Sequence, residues 1–485
     1  MVLTFFTVGR GVINHAPAFI LWSLSMSRTD ERYCRDNARA LAWQVLRRVD
    51  EGGYADLVLD SALSQTRMEP RDRALATELV YGVLRRRGAL DFALARFCRQ
   101  PLAKLEPGVC DLLRLGAYQL LFLDRIPARA AVHETVELTR LLRLQRVTGF
   151  VNGILRALGR GLAEIPWPDD EDPLLRLTTT LSMPGWLAQR WIDQFGPHDA
   201  LSLAETQLEP APVTLRVNVL RVEPADLLQR WQQAGVAAQP CCYAAEGLTV
   251  STGSLPQLPG LAEGLCQPQD EASMLVSHLL QVKPGERILD VCAAPGGKTT
   301  HLAALTQNRS PIVALDLHEH RLRLLEQGAR RLGCTRIETH CWNLTTPCTL
   351  FGATAPERAC FDAVLVDAPC SGLGVLRRNP ELRWRRQPAD IAALVETQKR
   401  ILDHAAECVA PGGRLLYSLC TTTPEESDGV VDDFLARHEQ FSLEDARCGV
   451  PATWLELFDA RGCLRTRTDR HAGMDCFFAA RLRRR

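Results

Sequence analysis

The chain has 485 residues, enough for two or three domains, and its 46% hydrophobic content supports sizeable cores, so it is read as globular. The formal net charge is zero but segregated: residues 28–160 carry 23 Lys+Arg against 16 Asp+Glu, and residues from 161 onward carry 33 against 41. Its 17 cysteines are odd in number, include no CxxC pair and show neither a disulfide framework nor zinc spacing, so reduced thiols in a cytoplasmic protein are expected, with no metal.

The first 25 residues are apolar, but the run from Ala16 to Met26 is shorter than the roughly 20 residues that span a bilayer, and no membrane contact is expected. Residues 1–27 are read as a disordered extension, with Met1 or Met26 as the true start. From Asp36 to about Arg160 apolar residues recur at three- and four-residue spacing, as in Ala38, Leu41, Ala42, Val45, Leu46 and Val49, which predicts an all-α bundle over 28–162. Pro166, Pro168 and the acidic run Asp169 to Asp172 then break the pattern as a linker does. Residues 174–265 mix short helices (186–195, 224–233) with strand-like pieces (213–218, 247–251) and are read as a small α+β connector.

From residue 266 onward strands alternate with helices, which predicts an α/β domain with a doubly wound, mostly parallel sheet. The strands fall at 287–291, 312–317, 336–341, 361–367 and 414–420, and the segments 463–466 and 474–482 are expected to form an antiparallel edge hairpin. The first of these strands runs into Cys292-Ala293-Ala294-Pro295-Gly296-Gly297-Lys298, a glycine turn that opens a helix and lets backbone amides approach a ligand. Asp316 ends the second strand about twenty residues beyond the glycines, where a carboxylate accepts from ribose hydroxyls. The loop is neither GxGxxG nor a P-loop, which disfavours a dinucleotide or ATP and suits S-adenosylmethionine.

Two cysteines stand at strand ends: Cys370 in Asp367-Ala-Pro-Cys370-Ser371-Gly372, and Cys420 in Tyr417-Ser-Leu-Cys420-Thr421. Carboxyl ends of parallel strands form the active cleft of such sheets, so Asp290, Asp316, Asp367 and both thiols are expected to converge there. A thiol beside a methyl donor suits methylation of pyrimidine carbon-5, where addition of a thiolate to carbon-6 activates an otherwise weak carbon nucleophile. Lys298, one of four lysines, is a candidate to favour the thiolate, and Asp367 a candidate to bind the cytosine amino group and ring nitrogen-3. Thr423-Pro424-Glu425-Glu426 has the form of a capping box with proline at the first helical position, and is read as fixing a helix start. Arg85-Arg86-Arg87 and Arg377-Arg378 are candidate phosphate contacts.

At these motifs the chain closely resembles the Nop2/Sun family of RNA cytosine-5 methyltransferases. The resemblance implies that Cys420 is the nucleophile, that Cys370 assists product release, and that 292–298, Asp316 and Asp367 border the S-adenosylmethionine site. Asn343 stands where the family commonly has a cofactor-binding aspartate, and Ser427 where many members have asparagine. Ala38-Arg-Ala-Leu, Leu79-Val-Tyr-Gly82 and Val151-Asn-Gly-Ile-Leu-Arg156 resemble the NusB-type RNA-binding fold. That combination implies a monomer acting on 16S ribosomal RNA not yet assembled into a complete subunit, at the cytosine of position 967. Transfer RNA methylation, or a non-catalytic RNA-binding or antitermination role, stays open at this point. The target base must leave its stack to reach a thiol.

Overall fold

The computed structural model describes residues 36–485, apart from 252–254 and 256–257. The extension expected at 1–27 lies outside the described residues. The chain divides into two compact units: residues 36–209 with Leu376–Arg385, and Pro210–Val375 with Arg386–Arg485.

The first unit is helical. Its helices are α1 (Ala38–Asp50), α2 (Ala55–Ser64), α3 (Pro70–Ala95), α4 (Pro107–Phe122), α5 (Ala128–Leu141) and α6 (Thr148–Arg160), followed by α7 (Pro173–Thr178), α8 (Gly185–Phe195) and α9 (Pro197–Thr206). Asn37 caps α1 by accepting from the amides of Arg39 and Ala40 at 3.0 and 2.9 Å, and Pro70 and Pro107 open α3 and α4, where a missing N–H costs nothing. The periodic residues Leu41, Val45 and Leu46 meet Leu79, Leu112, Leu113 and Leu155 in one core, each such side chain contributing ~1.5–3 kcal/mol on burial. The start of the stretch read as connector, 174–209, clusters with this helical unit.

Leu376–Arg385, which the chain inserts long after α9, also packs as part of the helical unit. Glu381 accepts from the Ala55 amide at 3.1 Å, Trp384 Nε1 donates to the Leu84 carbonyl at 3.0 Å, and the fully buried Arg383 donates to the Gln207 carbonyl at 3.2 Å. Four of the arginines expected as phosphate contacts also have intramolecular roles here. Arg85, Arg86 and Arg87 lie over the rings of Tyr81, Phe122 and Trp384 at 5.2, 4.8 and 5.5 Å, and Arg377 is buried. Arg87 also pairs with Asp50 at 3.2 Å.

The second unit opens with an antiparallel sheet in the order β2-β3-β1-β4, built from β1 (Val213–Val217), β2 (Ala238–Pro240), β3 (Gly247–Val250) and β4 (Cys266–Pro268). Helix α10 (Pro224–Gln233) covers it with Leu227 and Trp231, both buried among Leu215, Val217 and Leu248. After α11 (Glu271–Leu279) comes the larger sheet: β5 (Ile288–Val291), β6 (Ile312–Asp316), β7 (Ile337–Cys341), β8 (Phe361–Asp367), β9 (Val409–Leu419), β10 (Phe441–Glu444), β11 (Leu464–Arg465) and β12 (Phe478–Arg484). Its order is β10-β12-β9-β8-β5-β6-β7, with β11 on β12. The five strands from β9 to β7 are parallel, and β12 and β10 join antiparallel. The expected terminal hairpin exists as β11 and β12, but β12 is not the edge: it pairs with β9, and β10, which has no clear sequence signal, closes that side. The crossovers are α12 (Gly297–Leu305), α13 (Glu319–Leu332) and α14 (Pro388–Cys408), the last opened by a reciprocal Gln387–Asp390 capping box.

The Thr423 to Glu426 segment does not start a helix. Helix α15 spans Asp428–Arg437 with Ser427 before it, and the Glu426 side chain turns inward.

Candidate active site

Chain order runs β5, β6, β7 outward and then returns to β8 on the other side of β5. This reversal opens a crevice at the carboxyl ends of β5 and β8. Register puts the motifs there: Val291 pairs with Leu315 and with Val366, and Asp367 with Ser418, so Cys292, Asp316, Asp367 and Cys420 all leave the same end of the sheet.

The glycine loop is held from both flanks. Cys292 and Gly296 take positive φ, 61° and 98°, and a Cβ on Gly296 would come within 2.6 Å of Leu325 Cγ, so only glycine lets α13 approach. The Ala293 amide donates to the Leu315 carbonyl at 2.8 Å, and Arg321 donates to the Ala294 carbonyl at 2.7 Å. Asp316 accepts from the Ala294 and His318 amides at 3.2 and 3.0 Å, and the exposed Leu317 follows it. Asp290 accepts from Thr299 Oγ1 at 2.6 Å through one oxygen, while its other oxygen is buried without a partner. Burial pushes its carboxyl up to about 7. That orphaned oxygen, the strand-end carboxylate of Asp316 and the first turn of α12 form a donor and acceptor set suited to the amino, carboxyl and hydroxyl groups of S-adenosylmethionine.

Asn343, beyond the end of β7, is exposed, and its Oδ1 closes a local turn by accepting from the Thr345 amide and hydroxyl at 3.0 and 2.8 Å. Lys298, nearly buried, pairs with Asp367 at 2.7 Å and sits 5.1 Å over the Phe477 ring, and Ser418 Oγ donates to the second Asp367 oxygen at 2.8 Å.

The two thiols meet. Cys370 Sγ and Cys420 Sγ are 3.3 Å apart, and both residues are buried. The hydrogen bond with Cys370, followed by burial, raises the Cys420 thiol well above its ordinary value, with Lys298 pulling the other way. The loops bearing the thiols are organised by Glu426. One of its oxygens accepts from the Ser371 amide (2.8 Å) and Gln398 Nε2 (2.9 Å), and the other from the hydroxyls of Ser371 (2.6 Å), Thr421 (3.0 Å) and Thr423. Arg386 Nε adds a bond to the Ser371 carbonyl at 2.9 Å. Gly374 lies so close to the Cys420 carbonyl that its amide donates to it at 3.0 Å, and a Cβ there would meet Cys476 O at 2.1 Å. Sequence reasoning missed Glu426, Ser371, Gln398 and Gly374; the hydroxyl residue directly after each cysteine was the one available signal.

Comparison with known proteins names the architecture. A profile of the 16S rRNA methyltransferase RsmB/F family matches residues 277–483, one of the NusB family matches 36–160, and one of the RsmF/B-like ferredoxin-like domain matches 183–254. The chain is 38% identical over 409 residues to a probable ribosomal RNA small subunit methyltransferase B of Bacillus subtilis, covering 84% of this chain and 90% of that protein. The chain belongs to the RsmB/F methyltransferase family. Another relative, ribosomal RNA small subunit methyltransferase B of Thermus thermophilus, is 38% identical over 92% of this chain and 97% of its own length. Among solved structures, PH0851 superposes with a TM-score of 0.75 at 25% identity, covering 94% of this chain and 99% of that one. Residues 36–160 of the helical unit are thus NusB-like and the second unit contains a Rossmann-like methyltransferase domain, with S-adenosylmethionine as cofactor.

Proposed function

We propose that this chain methylates carbon-5 of a cytosine in 16S ribosomal RNA, that of position 967, through a covalent bond to Cys420. As a member of the RsmB/F family it is an S-adenosylmethionine-dependent RNA methyltransferase. The observation that carries the finer reading is the pair of thiols 3.3 Å apart at the ends of β8 and β9, beside Lys298 and Asp367.

In this reading Cys420 attacks as the thiolate: its sulfur bonds carbon-6 while the carbon-5–carbon-6 π pair shifts toward carbon-5. When bound, S-adenosylmethionine supplies an electrophilic methyl group to that carbon. Asp367 accepts from the cytosine amino group, which selects cytosine over uracil, and Lys298, paired with that carboxylate, favours the Cys420 thiolate. Cys370 assists removal of the carbon-5 proton; that electron pair restores the double bond and the sulfur–carbon-6 bond breaks, freeing Cys420. The cofactor set consists of 292–298, Asp290, Asp316 and Asp367, with the exposed Asn343 at its margin.

The test incubates wild type, Cys420→Ala and Cys370→Ala with labelled methyl donor and undermodified small-subunit ribosomal RNA, with transfer RNA as competitor. Cys420→Ala should lose methylation by about 10⁴-fold or more, as removal of a covalent nucleophile does, and form no adduct on a denaturing gel. Cys370→Ala should accumulate a protein–RNA adduct. Normal methylation by Cys420→Ala would overturn the assignment, and preference for transfer RNA would overturn the substrate.

A further inference from the structure

Among the described residues, one group of three His, Cys, Asp or Glu side chains is arranged to hold a metal ion: Glu246, His278 and His301. None belongs to the site described above. Glu246 directly precedes β3, His278 is in the last turn of α11, and His301 is on α12 three residues after Lys298. One donor atom of each lies within 4.8 Å of the others. His278 Nε2 is 2.8 Å from Glu246 Oε1 and His301 Nε2 is 3.0 Å from the same oxygen.

Hydrogen bonds account for only part of this geometry. His278 and Glu246 make an aligned one, whereas His301, only 1% exposed, meets the same Glu246 oxygen at 3.0 Å out of alignment, and its Nδ1 has no partner. A buried polar group left unpaired in this way costs ~1–3 kcal/mol and calls for a missing partner. Two imidazoles and one carboxylate are a zinc donor set. Ligands about 2.0–2.2 Å from a tetrahedral ion stand ~3.3 Å apart, so small side-chain shifts would admit the ion. The His278 side chain is 30% exposed, which leaves an entry path, and its ring packs edge-on to His301 and Trp454 at 5.1 and 5.6 Å.

We propose that Glu246, His278 and His301 bind one zinc-class divalent cation, which clips the small antiparallel sheet to α11 and to the first turns of α12. Its role is structural bracing of the helix that begins at the cofactor loop. Sequence patterns missed it because the donors are 32 and 23 residues apart and share no motif.

The test strips the full chain with chelator, adds zinc or cobalt, and measures retained metal by mass spectrometry after gel filtration. The expected result is one equivalent per chain, cobalt d–d absorption without thiolate charge-transfer bands, and a zinc K-edge spectrum with nitrogen and oxygen ligands. Zinc should also raise the melting temperature of wild type. Glu246→Gln and His278→Ala should each weaken retention at least tenfold and abolish that rise. Failure of folded wild type to retain metal, sulfur in the coordination shell, or unchanged retention in both variants would overturn the proposal. The wild-type edge spectrum decides the matter even if a variant fails to fold.

Discussion

Charge is spent differently in the two units. In the helical unit Arg85, Arg86 and Arg87 lie over the rings of Tyr81, Phe122 and Trp384, where a weakly hydrated guanidinium meets the electron-rich ring face. At the strand ends of the second unit, Asp316, Asp367 and Glu426 instead gather N–H and O–H donors from loops, since a carboxylate only accepts and thereby fixes several backbone segments at once. Arginines here consolidate a bundle; carboxylates fix the segments that bring two thiols together. A basic sequence segment therefore need not mark an RNA contact, and an acidic residue inside a motif need not be a helix cap.

The sharpest way to break this contrast is Glu426→Ala. It strands five donors around Cys370 and Cys420, and should cost roughly 3–5 kcal/mol in denaturant unfolding while making both thiols more reactive to alkylation. A loss below 1 kcal/mol would reduce Glu426 to an ordinary polar residue. Next is Asp290→Asn. The fold raises this carboxyl to about 7 from an unfolded value near 4, so its contribution to stability is complete below pH 4 and is lost as pH rises through 7. The variant, neutral throughout, should be spared that loss, and the gap in melting temperature between the two proteins should open across pH 4 to 8.

Lys298→Met comes third. It removes the positive charge that opposes the raised Cys420 thiol, so adduct formation should slow about 10–100-fold and its rate profile move to higher pH. A profile displaced downward without moving along the pH axis would mean that Lys298 acts on Asp367 alone. The smallest effect is reserved for Arg86→Gln: RNA affinity should stay within about twofold and the salt slope should change by less than ~0.5, because the side chain is spent on Phe122. A slope change near one would restore it as a phosphate contact.

Much of the fold was legible because its cues are local. The three- and four-residue spacing of Leu41, Val45 and Leu46, the apolar run 361–367 and the glycine turn at 295–297 each report backbone period within a few residues, and each element formed where expected. The terminal strands were placed less well, since whether β12 lies at an edge depends on β10, a four-residue strand with one buried side chain. Glu426 was misjudged because Thr-Pro-Glu-Glu satisfies the local capping pattern; only the approach of Ser371, 55 residues earlier in the chain, captures its carboxylate.

The sequence by itself determined the alternation of strands and helices, the order of the Cys292–Lys298, Asp367–Cys370 and Tyr417–Cys420 motifs, and hence that both thiols leave strands at a carboxyl end. Tertiary structure decided what those thiols do to each other. Their 3.3 Å separation, the pairing of Lys298 with Asp367, and the thiol–thiol bond and burial that raise Cys420 all depend on the register of β8 against β9 and β5. Register is a property of contacts tens of residues apart, and no local pattern encodes it.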